Sequence, residues 1–121
     1  MADEPCTREA RKEAIMYVRM TFFKVKSGKM DELRNTYVNH VIPAHKDHKG
    51  IRFVHLFECM EAMDEGISLT AWDTKGDLEV YEKSGDYQRI LSMFTEFFEG
   101  QPVLRSYEVT ASSEPMILRI F

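Results

Sequence analysis

Apolar residues alternate from Ile15 to Val25, with Met16, Val18, Met20 and Phe22 on one face and Tyr17, Arg19, Thr21 and Phe23 on the other. This predicts a first strand with two substantially apolar faces, broken at Ser27-Gly28. From Lys29 to about His48 the period changes. Met30, Leu33, Tyr37, Val41 and Ala44 recur at three- and four-residue steps, which puts them on one helical face. Pro43 lies inside that helix without an amide hydrogen, so the carbonyl of Asn39 loses its partner and a kink is expected. Ile51 to Met60 alternates again, with Ile51, Phe53, His55, Phe57 and Cys59 against Val54, Leu56 and Met60. A turn over Glu61 to Gly66 leads into a third strand, Ile67 to Asp73.

A capping box follows Trp72: Thr74 is placed to accept from the amide of Asp77 while Asp77 reaches back. Leu78 and Tyr81 then sit one turn apart, and Ser84-Gly85 interrupts this short helix. A second helical pattern from Asp86 carries Tyr87, Ile90, Leu91, Phe94 and Phe97 or Phe98, and ends at Gly100. Val103 to Thr110 reads as a fourth strand, and Met116 to Phe121 as a short fifth one. The domain organisation expected is therefore a mobile polar leader (1–14), one domain (15–110), and a tail (111–121) that adds a strand against a second subunit. The order β-α-β-β-α-β predicts an α+β, ferredoxin-like subunit with a four-stranded antiparallel sheet and both helices on one face. The other face should then be polar, yet Met16, Val18, Met20 and Phe22, with Val54, Leu56 and Met60, need cover as well. A second subunit stacked sheet to sheet is the simplest cover, so a homodimer is expected.

Composition narrows the function classes. Of 121 residues, 44 % are hydrophobic and 30 % charged, as in an ordinary globular domain. A net charge of −4, without a Lys/Arg run, argues against a nucleic-acid partner. No apolar run approaches the ~18–20 residues of a membrane span. Cys6 and Cys59 do not resemble a secreted disulfide framework, and a cytoplasmic location is the expectation.

Several motifs in order resemble the antibiotic-biosynthesis-monooxygenase (ABM) family of dimeric α+β barrels. They are Gly28-Lys-Met-Asp-Glu-Leu33, Pro43, Gly50-Ile-Arg-Phe53, the Ile67–Tyr87 stretch with Trp72 and Ser84-Gly85-Asp-Tyr87, and Arg105-Ser-Tyr-Glu-Val109. The likeness runs from about Met16 to Val109. It implies the barrel fold but no single chemistry, since one fold hosts several activities. The family includes cofactor-independent oxygenases of aromatic polyketides, haem-degrading oxygenases, isomerases of small sugars and proteins without a known reaction. Alignment with the haem-degrading branch puts Thr21, Tyr81 and Leu91 where that branch has Asn, Trp and the axial His. Leucine cannot ligate iron, so the resemblance does not carry haem breakdown to this chain. The cofactor-free branch uses pocket Trp, Tyr, Asn and Arg side chains to hold a phenolic substrate and help remove its proton. The substrate carbanion then reacts with oxygen, which implies no cofactor.

On that reading the catalytic candidates are His40, Tyr81 and Trp72, and the substrate-binding candidates are Tyr37, His55, Tyr87 and Arg19. His40 lies about sixty degrees from the centre of the apolar stripe. With an ordinary pKa of ~6.5 it suits a general base, against the plainer reading of a surface histidine. Trp72 either stacks on a planar substrate or plugs the end of the sheet. Tyr81 either positions a ligand hydroxyl or packs its ring and leaves the hydroxyl wet. His55 shares a face with Phe53 and Phe57 and is expected to be buried and hydrogen-bonded. Arg19 and Arg105 either pair an anionic group or serve salt bridges. His45 and His48, with Asp47 nearby, occupy an exposed helix end without zinc-like spacing, so no metal site is assigned. Phe94, Phe97 and Phe98 read as core. Two functions stay open: a monooxygenase of a small phenolic or quinol-like compound, or a non-enzymatic ligand-binding or stress-associated barrel taking a small aromatic or quinone-like molecule.

Overall fold

Both faces of the first strand are apolar, and in the computed structural model, which describes residues 15–113, that strand lies inside the sheet. β1 (Met16–Lys24) pairs antiparallel with β3 (Glu65–Trp72) on one side and β4 (Val103–Val109) on the other. β2 (Ile51–Glu58) pairs with β3, giving the order β2-β3-β1-β4. This is the expected four-stranded antiparallel ferredoxin-like sheet. The expected leader and the docking of Met116–Phe121 lie outside the described residues.

One irregularity in β2 reverses part of the predicted facing. Ile51 pairs with Trp72 and Phe53 with Ala71, so Arg52 is an extra residue on its strand. A bulge of this kind breaks the strict alternation of side chains. Ile51 thus joins the helix-side core with Val54 and Leu56, while Phe53, His55 and Phe57 lie on the opposite face. The expectation that Val54 and Leu56 need cover on the far face is therefore corrected. Met60 lies beyond the strand and is exposed.

The first helix is built in three pieces: α1 (Met30–Thr36), a π-turn (Tyr37–Val41) and α2 (Ile42–His45). In a regular helix Pro43 would leave the carbonyl of Asn39 unbonded and press its ring against it. The backbone instead widens by one residue, with the amide of Ile42 bonded to the carbonyl of Tyr37. Leu33, Tyr37, Val41 and His45 consequently stay on the buried face at four-residue steps, and Ala44 is only half-buried.

α3 (Lys75–Lys83) starts where predicted, with Thr74 Oγ1 accepting from the amide of Asp77 at 3.0 Å. Gly85, at φ 95°, joins it to α4 (Asp86–Leu91). The second helix was expected to run towards Gly100, but it stops at Leu91. Phe94 leads into a short 3₁₀ turn (Thr95–Phe97), and Phe98 bridges to Val25. The amide of Lys26 bonds to Phe97 and that of Glu99 to Lys24. The end of β1 thus captures the backbone that a longer helix would have used. Phe23 stacks on Phe98 at 4.8 Å and meets Phe94 edge-on at 6.1 Å, and Phe94, Phe97 and Phe98 all lie in the core, as expected.

Candidate active site

The helix-side face of the inner strands carries hydroxyls where a core would carry methyl groups. Arg19 and Thr21 on β1, and Ser68 and Thr70 on β3, point towards the helices, and Thr21, Ser68 and Thr70 are buried. Buried hydroxyls require partners. Thr21 meets Tyr87 Oη at 2.6 Å, Ser68 meets Tyr37 Oη at 2.7 Å, and Thr70 accepts from Trp72 Nε1 at 2.8 Å. Between them lies a small cavity of about 10 Å³, lined by Thr21, His45, Ser68, Tyr81 and Tyr87 with Val41, Ile90, Leu91 and Phe94. That is room for about one water. Thr21, Tyr81 and Leu91, the three positions singled out by family resemblance, all line it.

His45 is the imidazole of this cavity, only 1 % exposed. Its Nδ1 lies 2.8 Å from the carbonyl of Val41, which can only accept, so Nδ1 carries the hydrogen. Nε2 is then the acceptor, and it takes the hydroxyl of Tyr81 at 2.8 Å. Burial pushes the imidazole down to about 4, and it is neutral at pH 7. Burial also raises the Tyr81 phenol well above its ordinary value, with Tyr87 adding to the shift. The pair is therefore a neutral phenol donating to a neutral base.

Around this pair the helices are tied together. His48 Nε2 lies 3.0 Å from Asp86 Oδ2, joining the end of the first helix to the start of α4. The bond to His48 holds the Asp86 carboxyl below its usual range. The Arg19 guanidinium sits 4.5 Å over the Tyr87 ring. Its Nη1 donates to Ser106 Oγ at 2.9 Å and lies 3.0 Å from Glu82 Oε2. Outside this ion pair, Tyr17, Leu78, Glu82 and Ser106 help to line an open groove of about 510 Å³ between α3 and the β1–β4 edge.

Of the residues singled out from sequence, Tyr81, Tyr87 and Arg19 meet around this network. Trp72 is fully buried, its ring 4.6 Å from Tyr81, and it plugs the end of the sheet. Tyr37 is also fully buried, donating to the carbonyl of His55 at 3.0 Å. His40 is exposed on the π-turn rather than at a cavity edge. His55 keeps a hydrogen bond, to the carbonyl of Val54 at 3.0 Å, but it is exposed on the far face, stacked on Phe53. His45 was expected at an exposed helix end and is instead sealed inside. The π-turn, which periodicity does not reveal, turns it inward. Among the described residues no three His, Cys, Asp or Glu side chains converge as metal ligands. Nor is any helix among them long and apolar enough to cross a membrane.

The fold has many solved counterparts. The chain is similar to a candidate antibiotic biosynthesis monooxygenase from Bordetella bronchiseptica (TM-score 0.67, 20 % identity, covering 79 % of this chain and 97 % of that one). A second such protein, from Nitrosomonas europaea, has a TM-score of 0.66 at 12 % identity, covering 80 % and 92 %. A haem-degrading protein from Mycobacterium tuberculosis, solved with two haems in its active site, has a TM-score of 0.65 at 15 % identity, covering 79 % and 97 %. At these identities the likeness is one of fold. No curated protein sequence matches the chain. The model of the family described as antibiotic biosynthesis monooxygenase matches residues 16–92, more than half of the 121. The chain therefore belongs to the antibiotic biosynthesis monooxygenase family.

Proposed function

We propose that this family member is a cofactor-independent monooxygenase of a small phenolic or quinol-like compound, bound between the helices and the sheet. The observation that supports it is the convergence of a neutral imidazole, His45, with the hydroxyls of Thr21, Tyr81 and Tyr87 on one cavity. These are groups that hold a phenolic oxygen and accept a proton. His45 Nε2 takes the substrate proton through the hydroxyl of Tyr81. The substrate carbanion supplies the electrons to oxygen, one atom of which enters the ring system as a carbonyl while the other leaves as water. Arg19 attracts the developing oxyanion, and Trp72 holds Tyr81 from behind. A cavity of about 10 Å³ has to widen to admit a ring, and the glycine joint between α3 and α4 is where the reading places that opening.

The rival reading is a ligand-binding barrel without turnover. It draws on the same network, in which His45 and Tyr81 already satisfy each other without a substrate. Oxygen consumption with a panel of hydroxylated anthrones and quinols separates the two. Turnover above the uncatalysed rate is expected, reduced by about 10²–10⁴ in His45→Gln, the usual share of a general base. Compounds that bind without turning over would establish the rival.

The same proposal includes a homodimer in the cytoplasm. Val18, Leu69 and Ala71 form a second apolar cluster on the face away from the helices, ringed by Met16, Met20, Phe53 and Val109. Phe57, Val103 and Tyr107 are 43 %, 48 % and 42 % exposed. A second copy of this sheet would cover them. Sedimentation of the folded protein at micromolar concentration as a 14.2 kDa species would overturn the dimer, and imaging of a tagged chain checks the compartment.

A further inference from the structure

Three of the five tyrosines are buried on the helix side of the sheet, and their hydroxyls have different kinds of partner. Tyr37 donates to the carbonyl of His55 and touches Ser68, and Tyr87 meets the hydroxyl of Thr21. A carbonyl or an alcohol cannot keep a phenolic proton at neutral pH. Tyr81 alone among the three donates to a titratable nitrogen, His45 Nε2 at 2.8 Å, whose lone pair is available because Nδ1 holds its hydrogen on Val41. The Tyr81 ring also lies 4.6 Å from Trp72 and 5.5 Å from Tyr87. The cation of Arg19 over the Tyr87 ring makes that tyrosine the harder of the two to oxidise.

We propose that Tyr81 is a reversible one-electron donor whose phenolic proton passes to His45 as the electron leaves. An oxidising radical of the peroxyl class takes one electron from the Tyr81 ring and is reduced to the hydroperoxide anion. The O–H bond breaks and an N–H bond forms at His45 Nε2, leaving a neutral phenoxyl radical and an imidazolium. Return of one electron to Tyr81 sends the proton back to its oxygen. Burial disfavours a phenolate here, so the proton moves only with the electron. Trp72 offers the next ring along, which extends the path towards the end of the sheet. The proposal does not rest on the monooxygenase reading, because it needs an oxidant and no particular substrate.

The test is flash oxidation of the protein by photoexcited tris(bipyridine)ruthenium with persulfate, followed by absorbance and electron paramagnetic resonance. Tyr17 and Tyr107, which are not buried, are replaced by Phe in the background to remove their signals. A neutral tyrosyl radical is expected, lost in Tyr81→Phe and shortened in lifetime in His45→Gln, which retains a hydrogen-bond acceptor but cannot hold the proton. A radical that persists in Tyr81→Phe would overturn the assignment. A folding defect in either variant leaves a measurement on the background protein. There the radical should form more slowly in deuterated water, and equal rates in the two solvents would remove His45 as proton acceptor.

Discussion

An imidazole sealed between a helix and a sheet resists taking a proton from solvent, and this links His45 to the pH dependence of folding. Unfolded, the ring titrates near 6.5; folded, it titrates at about 4. Above 6.5 it is neutral in both states. As pH falls from 6.5 to 4 the unfolded chain binds a proton that the folded one refuses, so stability decreases and levels off below about 4. The difference amounts to about 3 kcal/mol. Urea unfolding between pH 4 and 7 should show that slope in the wild type and lose it in His45→Gln. Asp86 acts at lower pH, since a depressed carboxyl contributes stability above its ordinary range that is lost on acidification. Gly50 is constrained differently. It has a φ of 84°, and the Asp77 carboxylate occupies the space of a Cβ. Gly50→Ala is expected to lower stability by more than about 1 kcal/mol in thermal or urea unfolding, because alanine is strained in that backbone region.

At the scale of elements, local signals succeeded where the element's own atoms set the outcome. The cap of α3 is one such case, and Thr74→Ala should cost about 1 kcal/mol, read as a lowered urea midpoint with unchanged slope. The first helix shows the reverse. Its proline was visible, but the chain accommodates the missing amide by widening one turn. That choice keeps Tyr37, Val41 and His45 against the sheet. The second helix ends early because the backbone after Leu91 finds better partners at the end of β1.

For the whole molecule, the decisive feature is a sheet with an apolar cluster on each face. The helices cover one, and the proposed partner sheet covers the other. Met20, half-buried on the face away from the helices and paired across from Arg105, offers a clean test. Met20→Lys would leave the helix-side core untouched while setting a second cation beside Arg105 in a desolvated contact. Sedimentation should then shift from dimer towards a folded 14.2 kDa subunit with an unchanged circular dichroism spectrum. An unshifted dimer would place the contact elsewhere.

The sequence by itself determined the element order, the antiparallel sheet, the capping of α3 and the family. Period-two and helical patterns are written into every residue of an element, and the Gly and Thr signals act over one turn. Tyr81, Tyr87 and Arg19 were also legible as candidates, since large polar residues on apolar faces stand out. What sequence could not supply was the buried imidazole of the cavity. His45 faces the cavity only because the π-turn adds one residue ahead of Pro43, and a fixed helical period rotates it away and favours His40. Likewise the bulge at Arg52 sends His55 to the far face, although strict alternation had placed it with Ile51. A single inserted residue costs little locally and changes which side chains meet. Only tertiary packing, which sums the burial of whole faces, decides whether the chain accepts it.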